Sequence, residues 1–198
     1  MRIIGLCGRS GSGKGSFASV AKENGFFVID CDAVYREMVS RYSECLKEIE
    51  ANFGKGVIEN NALNRKKLAP IVFADKEKLA LLNSITHKHI LAEVGHIIST
   101  LDDTSYVVID APTLFESGAN DICDTIVGVI ADDATCIGRI TSRDGINEEQ
   151  ALSRLSNQLT NDFIIENSDY VIYNETTYDE FLKASQAVVD QIKESVID

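Results

Sequence analysis

Nine residues near the start, Gly8-Arg9-Ser10-Gly11-Ser12-Gly13-Lys14-Gly15-Ser16, constrain this chain more than any other stretch. The apolar run Ile3-Ile4-Gly5-Leu6-Cys7 before them reads as a short buried strand, and Phe17-Ala18-Ser19-Val20-Ala21-Lys22 after them as a helix. Between strand and helix, glycines let successive backbone N–H groups curl around an anion where a side chain would block the approach. The helix adds its own unpaired N–H groups and the positive end of its dipole. Lys14 adds a full positive charge. The stretch therefore reads as a phosphate-binding loop. A glycine- and serine-rich turn with no ligand is the alternative, and the flanking strand, helix and lysine weigh against it. The spacing Gly8-x4-Gly13-Lys14 is regular, but Gly15 stands where a Ser or Thr usually follows the lysine to hold magnesium; the hydroxyl comes one residue later, on Ser16.

A chain of 198 residues accommodates one α/β domain with insertions. Its formal net charge of -12 argues against general nucleic-acid binding, which needs a basic face. The first apolar run is too short for a secretion signal and no stretch has the length of a membrane span, so a cytoplasmic protein without membrane contact is expected. Five cysteines without a C-x-x-C pair fit reduced thiols.

Phe26-Phe27-Val28-Ile29 reads as a second buried strand that delivers Asp30-Cys31-Asp32 at its C-terminal end, the edge where open parallel sheets bind ligands. Asp32 is placed to accept a proton from a substrate hydroxyl or to hold it for in-line attack. Its alternative role is the N-cap of the helix that begins at Ala33. Residues 33–103 are mostly helical in pattern, with a loop at 52–61 and a helix capped by Asn64, and they contain no strong strand. This block reads as a helical, acceptor-binding insertion. His87 and His89, two apart on a helix, do not share a face, and no metal site is expected there. Tyr106-Val107-Val108-Ile109-Asp110 is a third strand, and its terminal Asp110 is placed to steer magnesium or its waters. Residues 125–131 form a fourth strand. A helix over 133–143 carries Arg139 and Arg143 four apart, and Asn147-Glu148-Glu149-Gln150 opens another with Arg154 and Gln158. Three arginines across this turn suggest a lid, residues 139–160, that closes over a nucleotide. The alternative is surface arginines paired with Glu148 and Glu149. A fifth strand at 170–174 and an amphipathic helix at 178–196 close the chain.

In order, these motifs resemble the dephospho-coenzyme A kinase family. The matching pieces are the N-terminal loop, Ile29-Asp30-Cys31-Asp32 with Arg36, and Leu82-Asn83-Ser84-Ile85-Thr86-His87. They continue with Val108-Ile109-Asp110-Ala111-Pro112-Thr113-Leu114-Phe115-Glu116-Ser117-Gly118, Arg139 with Arg143-Asp144-Gly145, and Asp169-Tyr170-Val171-Ile172 with Asn174. The loop alone is shared by many nucleotide-using proteins; the Ile-Thr-His and Pro-x-Leu-Phe-Glu blocks are far more specific. Gly15, Lys88, Thr113 and the apolar Phe163-Ile164-Ile165 depart from the family's usual residues.

The resemblance implies a P-loop NTPase fold, three-layer α/β/α with a five-stranded parallel sheet, a helical substrate-binding insertion and a helical lid. It implies transfer of the ATP γ-phosphoryl group to the ribose 3′-hydroxyl of dephospho-coenzyme A, with ATP and Mg2+ as cofactors and a monomer or weak homo-oligomer. Lys14, Asp32 and Arg143 would then carry catalysis, with Asp32 as base or hydroxyl-orienting group. Gly8, Gly11, Ser12, Gly13, Lys14, Gly15, Ser16, Arg139 and Arg143 would bind ATP. Asp32, Arg36, His87, Pro112, Leu114, Phe115 and Glu116 would lie near the acceptor, and Ser16 and Asp110 near the metal. Two other readings remain open at the level of sequence: a nucleoside or nucleotide kinase with the same core, and an ATP-binding regulator without transfer.

Overall fold

The computed structural model describes residues 1–195. The chain divides into two compact units: Met1–Ile29 with the segment from Asp102 onward, and Asp30–Leu101.

The first unit is built on a parallel sheet of β1 (Arg2–Cys7), β2 (Phe27–Asp30), β5 (Tyr106–Asp110), β6 (Thr125–Ile130) and β7 (Tyr170–Tyr173). The strand order is β2-β5-β1-β6-β7. The central strand β1 pairs with β5 (Ile4 opposite Val108) and with β6 (Leu6 opposite Val127), and β6 pairs with β7. Strands covered on both faces read as near-continuous apolar runs, which is how β1, β5 and β6 appear in the sequence. On one face, α1 (Lys14–Glu23) and α9 (Tyr178–Glu194) bury Phe17, Ala21, Phe181, Val189 and Ile192 against Ile4, Leu6, Val108, Val127 and Val129. Phe17 and Phe181 are at most 1% exposed, so truncating either to alanine costs about 3–5 kcal/mol. The other face approaches closely enough to demand glycine in two strands. A Cβ on Gly5 would come within 2.9 Å of Leu114, and one on Gly128 within 2.9 Å of Ile164. Ile164 belongs to α8 (Asn161–Glu166), a helix that the sequence pattern does not announce. Six residues are too few for a helical period to show.

After β6 come α6 (Asp133–Asp144) and α7 (Glu148–Ser156), which share a small core of Ala131, Cys136, Ile140, Ala151 and Leu155. Gly145, at φ 65°, closes α6, and Asn147 with Gln150 forms a reciprocal capping box on α7. The predicted last helix ends at Glu194; Val196 lies outside the described residues.

The second unit holds α2 (Cys31–Ser40), α3 (Glu44–Phe53), α4 (Arg65–Phe73) and α5 (Lys76–Ser99) around Val39, Ile49, Val57, Leu68, Val72 and Ile85. Asn64 caps α4, as its sequence position predicts, and Asp75 caps α5. Two readings are corrected. The 52–61 stretch is not one loop but the end of α3, a 3-10 turn and a hairpin, β3 (Ile58–Glu59) with β4 (Ala62–Leu63). Asn60 and Asn61 turn the hairpin at φ 52° and 61°, the left-handed pair that a two-residue type I′ turn requires and asparagine tolerates. Second, α2 begins at Cys31, and its cap is Asp30, which accepts from the Ala33 amide at 2.8 Å; Asp32 is therefore not the N-cap. Among the described residues, no helix is long and apolar enough to cross a membrane.

Candidate active site

The central strand β1 ends against Gly8, and α1 begins at Lys14, so the loop between them lies at the carboxyl edge of the sheet. Its glycines are required by geometry. Gly11 has φ 81°, and a Cβ there would sit 2.8 Å from the Cys136 carbonyl; Gly13 has φ 112°, and a Cβ would collide with the Asn174 amide. Gly13 is also the N-cap of α1 and has no side chain to satisfy the first-turn amides. No side chain caps this end of the helix, and the positive end of its dipole faces the loop, which suits an oxyanion. Lys14 donates from Nζ to the Gly8 carbonyl at 2.6 Å, which holds its ammonium across the mouth of the loop. Ser12 is fully buried, and its hydroxyl has no hydrogen-bond partner among the described residues. Ser16 lies half-buried in the first turn of α1. Gly15 is exposed, and a Cβ there would meet no atom within 4 Å.

Residues distant in sequence shape the loop from outside. Arg139 Nη1 donates to the Gly11 carbonyl at 3.0 Å, and Arg139 Nη2 donates to Asn174 Oδ1 at 3.2 Å. Asn174 Nδ2 donates to the Ser12 carbonyl at 2.7 Å. Gln158 accepts from the Ser10 amide at 2.9 Å and donates to the Ser10 hydroxyl at 3.1 Å. Arg9 pairs with Asp133 and donates to the Leu155 carbonyl at 3.2 Å. Arg139, a residue read as facing nucleotide phosphate, thus contacts the loop itself. Arg9, Gln158 and Asn174 are the contributors that the sequence motifs do not assign to the site; the contacts that tie them to or from the loop span 124 to 162 residues, so no local pattern marks them.

Arg143 and Arg154 converge on one carboxylate. Arg143 donates from Nε to Asp144 Oδ1 at 2.7 Å and from Nη2 to Oδ2 at 3.0 Å, and Arg154 Nη1 also reaches Oδ2. The expected alternative partners, Glu148 and Glu149, are not the ones these arginines use. Hydrogen bonds from Arg143 and then Arg154 hold Asp144 far below the usual carboxylate range, and Asp144 raises Arg143 in return.

Pro112, Leu114, Phe115 and Glu116 line a narrow cleft, with room for little more than a water molecule, together with Cys7, Gly8, Arg9 and Gln158. The Phe115 ring stands edge-on to Phe163 at 5.2 Å, a contact made by the apolar 163–165 segment. Burial pushes the Cys7 thiol up at the floor of this cleft, against the opposing pull of Ser168 and Lys14. Asp110 ends β5 opposite Leu6 of β1. Asp32, Arg36 and His87 belong to the second unit. Asp32 and Arg36 lie one turn apart on α2, Arg36 pairs with Asp30 at 3.4 Å, and His87 is half-buried on α5. Among the described residues, no three His, Cys, Asp or Glu side chains form a metal-binding group.

The sequence pattern of the family described as dephospho-CoA kinase matches residues 2–180. The chain is 35% identical over 191 residues to the dephospho-CoA kinase of Fusobacterium nucleatum, covering 96% of this chain and 98% of that one. Among solved structures, a Thermus thermophilus protein matches at TM-score 0.82 and 26% identity, covering 98% of this chain and 97% of the other. The dephospho-CoA kinase from Campylobacter jejuni matches at TM-score 0.74 and 25% identity over the full length of both chains. A phosphate-shaped loop on the central strand and a family match over nearly its whole length lead to one assignment: this chain belongs to the dephospho-CoA kinase family.

Proposed function

We propose that this protein transfers the γ-phosphoryl group of ATP to the ribose 3′-hydroxyl of dephospho-coenzyme A, giving coenzyme A and ADP. The observation that carries the proposal is the uncapped N-terminus of α1 behind a glycine loop with Lys14 across its mouth, in a chain of this family. In this reading Gly8 and residues 11–16 bind the ATP phosphates, and Lys14 neutralises charge on the transferring group. Phosphoryl transfer asks for little covalent chemistry from the protein; positioning and charge stabilisation supply the rate.

Asp32 stands one turn from Arg36 on α2 and, released from capping by Asp30, is available to orient the acceptor hydroxyl and take its proton. Arg36, His87 and the 112–116 segment bind the acceptor, with residues 33–103 as the acceptor-binding insertion. Arg143, in a lid spanning 139–160, exchanges Asp144 for phosphate oxygens when ATP is bound. Mg2+ would be held by Ser16 and Asp110, one hydroxyl and one carboxylate. That small donor set fits an ion which keeps most of its waters and takes substrate phosphates as further ligands, where it would neutralise developing charge. The protein acts as a cytoplasmic monomer or weak homo-oligomer, without a nucleic-acid or membrane partner.

The test is a coupled ADP-release assay with magnesium and ATP, comparing dephospho-coenzyme A with AMP, adenosine and pantetheine phosphate. Turnover confined to dephospho-coenzyme A is expected; turnover with AMP would move the substrate to the nucleotide class. Asp32→Asn is expected to lower turnover by about 10²-fold or more with ATP affinity retained, the size of a lost general base. Undiminished turnover would remove Asp32 from the mechanism.

A further inference from the structure

The shape of the loop at Gly11–Gly13 depends on two side chains outside it, and we propose that Asn174 is a positioning residue for the ATP-phosphate contacts, acting together with Arg139. Asn174 follows β7 and is 5% exposed. Its Nδ2 donates to the Ser12 carbonyl at 2.7 Å, while its Oδ1 and its own carbonyl accept from Arg139 Nη2 at 3.2 and 3.3 Å. Arg139 Nη1 reaches the Gly11 carbonyl at 3.0 Å.

A peptide unit is planar and trans, so the C=O of one residue and the N–H of the next point in opposite directions. Tying the Ser12 carbonyl to Asn174 therefore turns the Gly13 N–H away from Asn174. Tying the Gly11 carbonyl to Arg139 turns the Ser12 N–H the other way, where the Arg9 carbonyl accepts it at 3.1 Å. An anion-binding loop must keep its carbonyl oxygens out of the concavity, because each carries partial negative charge. A carbonyl turned outward into the protein needs a donor there. Asn174 and Arg139 supply those donors. The absence of a Cβ on Gly13 lets the Asn174 amide lie against the loop, since a Cβ would fall on Nδ2. Asn174 thus acts through the backbone and touches no phosphate. The inference rests on reading residues 8–16 as the ATP phosphate site.

Asn174→Leu removes the donor at similar size and without a charge change. Arg139→Lys keeps the charge and loses the fork that reaches Gly11 and Asn174 together. Both variants and the wild type are measured for binding of ATP and of inorganic tripolyphosphate by calorimetry, for KM of ATP and of dephospho-coenzyme A, and for Tm. Each variant is expected to weaken ATP and tripolyphosphate alike, by roughly ten- to a hundredfold, with the acceptor KM unmoved. Weakened ATP binding with tripolyphosphate unaffected would place the pair on the base and overturn the proposal. A lowered Tm with both affinities unchanged would make the pair purely structural and overturn it too. If Asn174→Leu fails to fold, Arg139→Lys decides by the same readouts. Wild-type protein that binds neither ATP nor tripolyphosphate would instead overturn the reading of the loop itself.

Discussion

Two glycines that are two residues apart in one loop carry opposite consequences. Gly13 is held at φ 112° with the Asn174 amide in the space of its missing side chain, whereas Gly15 has open space and an ordinary backbone. Gly13→Ala is therefore expected to lose ATP binding and to lower stability by about 1–2 kcal/mol or more, because an L side chain is strained at positive φ even before the contact is counted. Gly15→Ala is expected to raise stability by roughly 0.4–1 kcal/mol, since it removes chain entropy at a position alanine can occupy. Calorimetric ATP titration and thermal melts of the two variants check the pair. The same contrast marks what single residues reveal in sequence. Gly8, Gly13 and Lys14 declare themselves because the motif is contiguous. Asp32 reads as a cap only for a helix that opens at Ala33; the helix opens two residues earlier, at Cys31, and Asp30 caps it instead. Asn174 gave no local sign of its role, because the carbonyl it serves is 162 residues away.

At the scale of elements, the five main strands, α4, α5 and the α6–turn–α7 pair were legible because each has a buried apolar run or a marked cap. The hairpin was not: two-residue strands are too short to alternate, although Asn60-Asn61 is a turn signal in itself. Helix α8 was hidden for the same reason of length. Helix α9 shows how a terminal element is secured. Thr177 and Glu180 form a capping box at its start, and Phe181, Val189 and Ile192 insert into the sheet-facing core. Thr177→Ala is expected to cost about 1 kcal/mol, and urea melts of the variant measure it. A cost near zero would mean that α9 is held by its buried face alone.

Over the whole molecule, 31 acidic against 19 basic residues set the pH response. The net charge of -12 repels itself at neutral pH, so mild acidification relieves that repulsion. Against this, Glu48, Glu59, Asp132, Asp144 and Glu180 are all depressed by hydrogen bonds or basic neighbours. Groups lowered in the folded state contribute stability that is fully present above the ordinary carboxylate range, near about pH 4, and is lost as pH falls through their folded values. The two trends together put the highest Tm between about pH 5 and 7, with a steep loss below about pH 4. Asp144→Asn is expected to lower Tm at neutral pH and to shallow the acid limb, because Arg143 and Arg154 lose their shared partner. A Tm–pH series on both proteins tests this; superimposable acid limbs would show that Asp144 does not govern it.

The position of β1 in the middle of the sheet has a consequence for the order in which the chain becomes functional. Its neighbours are encoded about a hundred residues downstream, at 106–110 and 125–128, and the amide that sets the Ser12 carbonyl arrives only at residue 174. A nascent chain leaving the ribosome therefore carries the glycine loop before the strands and the amide that shape it are made. The loop is made well before the groups that shape it, so it acquires its working form only after residue 174 has emerged.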